Sequence, residues 1–142
     1  MNRRNLLKAG LAGSAAGLIY LPSTVRGDIP ATELAGKIYF TEANPGRWSH
    51  KAQTHLPRIS TARTGDNLKI TVTTPHEMKP WEHYIVKHQL LDKNFNLLFD
   101  RIFNPEKDTI PVSEFILGTY SGSLYALSMC NKHDVWLGEI TI

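Results

Sequence analysis

The sequence predicts an all-β fold, an antiparallel β-sandwich of six or seven strands. Short runs of alternating apolar and polar residues recur along the chain, and turn-forming residues separate them. Beyond residue 27, no pattern is typical of a helix of about ten residues or more. Strands of this length within about 100 residues are typical of two packed antiparallel sheets.

Five runs carry the clearest strand patterns. The run LKITVT places Leu68, Ile70 and Val72 on one face. The run HYIVKHQLL is rich in β-branched and aromatic residues, and the polar break DKN separates it from LLFDRIF. The runs GSLYALSM and VWLGEITI predict two further strands, joined by a loop that begins at Cys130. The segment THLPRIS, before the first clear strand, reads as a loop.

The first 27 residues have the composition of an export signal. Arg3 and Arg4 precede an apolar run from about Leu11 to Leu21, which is too short and too rich in Gly and Ala for a membrane span. The order of residues 2–8 resembles the bacterial twin-arginine signal; a chance arginine pair before a Sec signal, or an uncleaved anchor, is the alternative. Twin-arginine routes carry folded proteins, which suits a cofactor inserted before export. We therefore expect a periplasmic protein whose mature chain begins at about Asp28.

Charge and length limit the class of protein and the number of domains that residues 28–142 can represent. The full 142 residues carry a formal charge of +3, and residues 1–27 hold four basic residues and no acidic one, so subtracting these four charges leaves −1. This charge excludes the basic footprint of a nucleic-acid or anionic-membrane protein. The predicted organisation is an export signal at 1–27, a lead-in at 28–47 and one domain at 48–142.

Cys130 is the only cysteine of the chain and lies in SMCNKHDVW, three residues before His133. Without a second cysteine it cannot form an internal disulfide. In an exported protein it is therefore a buried apolar residue, an intermolecular bridge or a functional thiolate. A cysteine and a histidine three residues apart in a tight turn can direct both side chains at one metal, and this donor pair suits Fe, Cu or Zn.

Further metal ligands are expected among the other histidines. His76 and His83 bracket the segment PHEMKPWEHYI, where two prolines restrict the backbone and favour rigid framing. His55 lies in THLPRIS. His50 reads as a solvated loop residue unless His55 fails as a ligand. His88 reads as a structural residue that shares a strand face with Tyr84 and Val86.

Four segments, HLP, PHEM, EHYI and CNKHDVW, resemble in this order the signature of the superoxide reductases, that is, the iron-binding domain of neelaredoxin and desulfoferrodoxin. The match spans about Trp48 to Ile142. The resemblance implies an immunoglobulin-like sandwich of about seven strands with a mononuclear non-haem iron that cycles between Fe2+ and Fe3+. The implied ligands are four planar histidines and one axial thiolate: His55, His76, His83, His133 and Cys130.

The same resemblance implies reduction of superoxide to hydrogen peroxide. An electron donor protein, which the sequence does not identify, would return the iron to the ferrous state. Short relatives form homo-oligomers, which extends to this chain as an expectation. The single cysteine excludes the rubredoxin-like second iron site of the longer desulfoferrodoxins.

The chain departs from the family pattern just before the first histidine. Gln53 and Thr54 stand where a Glu-Lys pair is common, so the carboxylate that can ligate ferric iron and the cation that attracts superoxide are both replaced. Lys79 is the first candidate for the missing cation because it lies between His76 and His83, and Lys51 is the reserve.

Two further departures concern the segments around the ligands. The spacing between His76 and His83 is one residue longer than in the family pattern. Asp134 stands where a glycine usually follows the last histidine, and it puts a carboxylate beside the site.

Two other classes of protein stay open from the residues alone. A cupredoxin-like electron carrier would place a Met shortly after His133, and none is found there; Met78 and Met129 would serve only in a different geometry. A non-catalytic binding sandwich with a degenerate metal site is the other alternative, supported by the replaced Glu-Lys pair.

Overall fold

Two packed β-sheets form the framework of residues 31–142, the part of the chain that this computed structural model describes. The helical segments are α1 (Ala31–Leu34), a 3-10 helix (Gly46–Lys51) and α2 (Ala52–His55). The strands are β1 (Tyr39–Phe40), β2 (Arg58–Thr64), β3 (Asn67–Thr73), β4 (Ile85–Leu91), β5 (Leu97–Ile102), β6 (Val112–Leu117), β7 (Ser123–Cys130) and β8 (Val135–Thr141). The proposed export signal lies outside the described residues.

The strand order is β1-β8-β7-β4-β5 in one sheet and β2-β3-β6 in the other. Neighbouring strands are antiparallel except for the two-residue parallel pairing of β1 with β8. The predicted all-β sandwich is therefore confirmed, with eight strands in place of about seven. None of the helices within residues 31–142 is long and apolar enough to cross a bilayer.

The core lies between the two sheets and follows the predicted alternation. Leu68, Ile70 and Val72 of β3 are buried and belong to one apolar cluster with Leu90 of β4 and Leu124 of β7. Burial of such side chains is the main favourable contribution to folding.

Two segments differ from the sequence-based expectation. The segment THLPRIS was expected to be a loop, but its last three residues begin β2 (Arg58–Thr64), an edge strand that pairs only with β3 and exposes most of its side chains. The expected lead-in contributes β1, whose fully buried Phe40 packs 5.6 Å from the ring of Trp136. Phe40 of the lead-in therefore belongs to the core.

His88 is structural, but the predicted strand face is wrong. A register shift between Ile85 and Lys87 interrupts the alternation, so His88 shares the buried face with Ile85 and Leu90. Its Nε2 lies 2.9 Å from Thr74 Oγ1, and its Nδ1 lies 2.9 Å from Ser113 Oγ. Burial lowers the pKa of His88 to about 4, and the charge of Arg101 adds to the effect.

Gly138 of β8 allows the segment after α2 to approach the sheet. A Cβ atom at this position would lie 2.2 Å from the carbonyl oxygen of Pro57, far inside van der Waals contact. Pro57 follows His55 by two residues. The close approach therefore helps to position His55.

Candidate metal centre

Four imidazoles and one thiol converge where several strands begin or end. The ligand atoms all lie within 4.8 Å of one another; they belong to His55, His76, His83, Cys130 and His133. These are the five residues that the sequence singled out as metal ligands. His50 and His88 are not members of the group.

Each member is held at an element boundary. His55 is the last residue of α2, and Cys130 is the last residue of β7. His133 lies in the short loop between β7 and β8, while His76 and His83 lie in the connection between β3 and β4. Antiparallel pairing of β2 with β3, of β4 with β7 and of β7 with β8 brings these segments to the same end of the sandwich.

The imidazole nitrogens are spaced as metal ligands. His133 Nδ1 lies 3.0 Å from His55 Nε2 and 3.0 Å from His83 Nε2, and the latter lies 3.1 Å from His76 Nε2. Two nitrogens about 3.0 Å apart can both lie about 2.1 Å from one ion at right angles, and this is the usual length of a metal–imidazole bond. Cys130 Sγ lies 3.5 Å from His133 Nδ1 and 3.9 Å from His76 Nε2.

The tautomers of His55 and His76 follow from the contacts of their Nδ1 atoms, which do not face the cluster. His55 Nδ1 lies 3.1 Å from the carbonyl oxygen of Lys51, and His76 Nδ1 is bonded to the carbonyl oxygen of Glu77. A carbonyl oxygen only accepts, so both Nδ1 atoms carry the proton and both Nε2 atoms present lone pairs to the cluster. Convergence of lone pairs is an arrangement that a cation stabilises.

Burial tunes the protonation of the cluster. It is the main cause that lowers the pKa of all four histidines, and it lowers that of His55 to about 3 with help from the charges of neighbouring histidines. The imidazoles are therefore neutral at neutral pH, as metal binding requires. Burial raises the pKa of the Cys130 thiol, while the backbone N–H of Lys132, 3.4 Å from Sγ, acts in the opposite direction. A bound cation would deprotonate this thiol.

Asn131 joins the Cys130 loop to the segment that carries His83. Its side-chain oxygen accepts the Tyr84 N–H at 3.0 Å, and its side-chain nitrogen donates to the Glu82 carbonyl at 3.1 Å. Asn131 was not among the site residues predicted from the sequence, although its position directly after the cysteine was a usable signal.

A cleft of about 320 Å³ opens beside three of the imidazoles. It is lined by His55, His76 and His83 together with Lys51, Thr54 and Glu77. The positive charge of Lys51 contributes to the lowered pKa of His76 and of His133, and it opposes the raised pKa of Cys130.

Lys79 is placed differently from Lys51. Its Nζ lies 3.2 Å from Glu77 Oε1, and it does not line the cleft. The same carboxylate oxygen lies 3.8 Å from His83 Nδ1. The reserve cation is therefore better placed toward the cluster than the first candidate.

Asp134 stands beside the cluster without belonging to it. Its carboxylate accepts a 2.7 Å hydrogen bond from Trp48 Nε1 and pairs with Arg47. The hydrogen bond from Trp48 and the interactions with Arg47 lower the pKa of this carboxyl group.

The family model described as desulfoferrodoxin matches residues 47–139. The chain belongs to this family. The superoxide reductase of Thermococcus kodakarensis is 36% identical over an alignment of 109 residues, and the match covers 68% of this chain and 92% of the relative. That of Pyrococcus abyssi is 35% identical with the same coverage. The solved structure of the superoxide reductase (neelaredoxin) from Ignicoccus hospitalis superposes with a TM-score of 0.62 at 27% identity, over 75% of this chain and 95% of that one.

Members of the family bind a mononuclear non-haem iron, and the donor set of this desulfoferrodoxin fits that group. Four neutral imidazoles and one cysteine sulfur meet within 4.8 Å, and this mixture of donors suits iron. The residues that would hold it are the five cluster members.

Proposed function

We propose that this desulfoferrodoxin is a superoxide reductase that works outside the cytoplasm. The observation that carries the proposal is the convergence of four imidazole nitrogens, joined by three contacts of 3.0 to 3.1 Å, with a thiol beside them and a cleft lined by a lysine. The relatives of similar sequence bear the name superoxide reductase.

The five cluster residues would hold a ferrous iron, which would supply the one electron that, together with two protons, reduces superoxide to hydrogen peroxide. With iron bound, Cys130 would contribute one negative charge and the four neutral histidines none, so the ferrous centre would keep a net charge near +1. The Lys132 N–H at 3.4 Å withdraws charge from the sulfur and tunes its donation.

Lys51 provides the second attraction for the anionic substrate. Its side chain lines the cleft, and its charge acts on both His76 and His133. A cation at the mouth of a cleft raises the rate at which an anion arrives. Lys51 therefore takes the place of the lysine that Thr54 replaces, whereas Lys79 neutralises Glu77.

A blue-copper carrier fits the same site less well. Blue-copper sites use two histidines, one cysteine and a weak axial ligand, whereas this cluster holds four histidines. Met78 does pack against the small apolar cluster that contains Cys130, but no Met follows His133.

The test combines metal analysis with stopped-flow kinetics. Protein loaded with ferrous iron should be oxidised by superoxide far faster than by hydrogen peroxide, and each superoxide consumed should yield one peroxide. Slow oxidation by superoxide, or release of dioxygen in its place, would exclude a reductase. A blue copper protein on purification would favour the carrier.

Export rests on residues 1–27 and is tested separately. The Arg3→Lys and Arg4→Lys double variant should keep the full-length protein in the cytoplasm of a bacterial host, while the parent chain reaches the periplasm. Equal export of both would exclude the twin-arginine route. The electron donor protein and a homo-oligomeric state remain predictions, checked by pull-down on the ferric protein and by light scattering.

A further inference from the structure

A carboxylate next to the last histidine joins two distant parts of the chain. Asp134 Oδ2 accepts hydrogen bonds from Trp48 Nε1 at 2.7 Å and from the Arg47 guanidinium. The two donors precede Asp134 by 86 and 87 residues. Both donors belong to the 3-10 helix, three or four residues before Lys51.

Both partners of the Trp48–Asp134 hydrogen bond also contact residues of the metal centre. The ring of Trp48 lies 4.7 Å from the His133 ring and nearly perpendicular to it. At the other end, the backbone carbonyl of Asp134 accepts the Cys130 N–H at 3.0 Å. The Arg47 guanidinium lies 4.9 Å from the ring of the buried Phe40. The hydrogen-bond donors to Asp134 are therefore in contact with the core.

The backbone at Asp134 does not require a carboxylate. Its φ of 62° lies in the left-handed region, which glycine adopts without strain and which Asp and Asn tolerate. The turn would therefore form with glycine, and what the aspartate adds is its contact with Trp48 and Arg47.

We propose that Asp134 is a positioning residue whose carboxylate holds the Trp48 indole against His133. This contact covers one flank of the metal centre and leaves the cleft beside Lys51 as the route for small anions. The inference rests on the proposed metal site, but it concerns contacts that exist without metal.

The first test uses metal-free protein. Fluorescence quenching by acrylamide, measured in the parent and in Trp48→Phe, gives the contribution of Trp48 by difference; Trp81 and Trp136 supply the background. Asp134→Gly should make Trp48 more accessible to acrylamide, whereas Asp134→Asn, which keeps an acceptor oxygen, should resemble the parent. Unchanged quenching in Asp134→Gly, or equal effects of Gly and Asn, would overturn the proposal.

The second test uses iron-loaded protein and a ferrous chelator. Loss of the cover should speed iron release by about tenfold, as for other residues that support metal ligands. Asp134→Gly and Trp48→Phe should each show this effect, and the double variant should exceed neither by much, because both remove the same contact. Additive effects would mean that Asp134 acts independently of Trp48. Neither test measures superoxide turnover. Failure of the reductase assay would therefore contradict the proposed function without deciding whether Asp134 positions Trp48.

Discussion

His55 Nε2 lies 3.0 Å from His133 Nδ1, although 78 residues separate the two histidines. His55 presents a lone pair at this contact because its Nδ1 proton points to the Lys51 carbonyl oxygen. The nitrogens of His76 and His83 converge on the same space. The fold thus assembles a cation site from residues that are remote in the chain.

Replacement of Cys130 by serine should change the electronic properties of the metal most. We expect Cys130→Ser to lose the visible thiolate-to-iron absorption band of the oxidised protein, while the imidazoles still retain part of the iron. Absorption spectra and metal content of the same sample check this. Persistence of the band would show that Cys130 is not a ligand.

The histidines should divide into ligands and non-ligands. His55→Ala, His76→Ala, His83→Ala and His133→Ala should each lower the iron bound per chain sharply, because each removes one of four convergent nitrogens. His50→Ala is the matched control, since His50 is exposed near the same site and outside the cluster. Iron loss in the His50 variant with normal occupancy in the His55 variant would reverse the assignment.

The two lysines should differ in their effect on the superoxide reaction. Lys51→Met should slow the second-order rate by about tenfold at low salt and flatten its salt dependence, because the attracting charge is lost. Lys79→Met should change the rate less, since Lys79 pairs with Glu77. Both variants should keep their iron. An unaltered salt slope in the Lys51 variant would remove this residue from the mechanism.

His88 should make stability fall on acidification. Its pKa is about 4 in the folded protein, against 6.5 for an unperturbed histidine, so below about pH 6.5 the unfolded chain binds a proton that the folded chain rejects. Its contribution to stability is complete above this pH and is lost as the pH falls towards 4, by up to about 3 kcal/mol. Urea unfolding of the parent and of His88→Gln at several pH values checks this. Parallel losses in both proteins would contradict it.

Gly138→Ala should disturb the site from a distance. The added Cβ would lie 2.2 Å from the Pro57 carbonyl oxygen, which must move and shift the segment after His55. We expect a loss of about 1–3 kcal/mol in the free energy of unfolding and weaker iron binding. Denaturation and iron titration measure the two effects. Gly118→Ala is the control, because a Cβ there meets nothing within 4 Å.

Alternation of apolar and polar residues predicted the buried strands but did not reveal β2, the polar strand at the edge of the smaller sheet. Leu68, Ile70 and Val72 alternate with polar neighbours, and they lie in the core as expected. The residues of β2, RISTART, show no apolar alternation because most of its side chains are exposed at the edge of the sheet. The face of His88 could not be predicted because a register shift leaves no mark on a regular alternation.

The cluster members could be predicted as ligand candidates because short ordered motifs surround them. The placement of Lys51 could not, since it depends on two short helical segments, Gly46–Lys51 and Ala52–His55, that show no periodic pattern. The contact between Trp48 and Asp134 spans 86 residues and depends on the completed sandwich. Long-range polar contacts of this kind become visible only in three dimensions.

The separation of His55 from His133 also bears on how the protein resists unfolding. A metal held by both would close a chain loop of 78 residues. A cross-link over such a length raises the free energy of the denatured chain by about 4.5 kcal/mol, because it removes conformational entropy. The chain has no disulfide to do this, because Cys130 is its single cysteine. The iron centre would then stabilise the sandwich as a cross-link does, and its loss would destabilise the whole domain as well as end its redox chemistry.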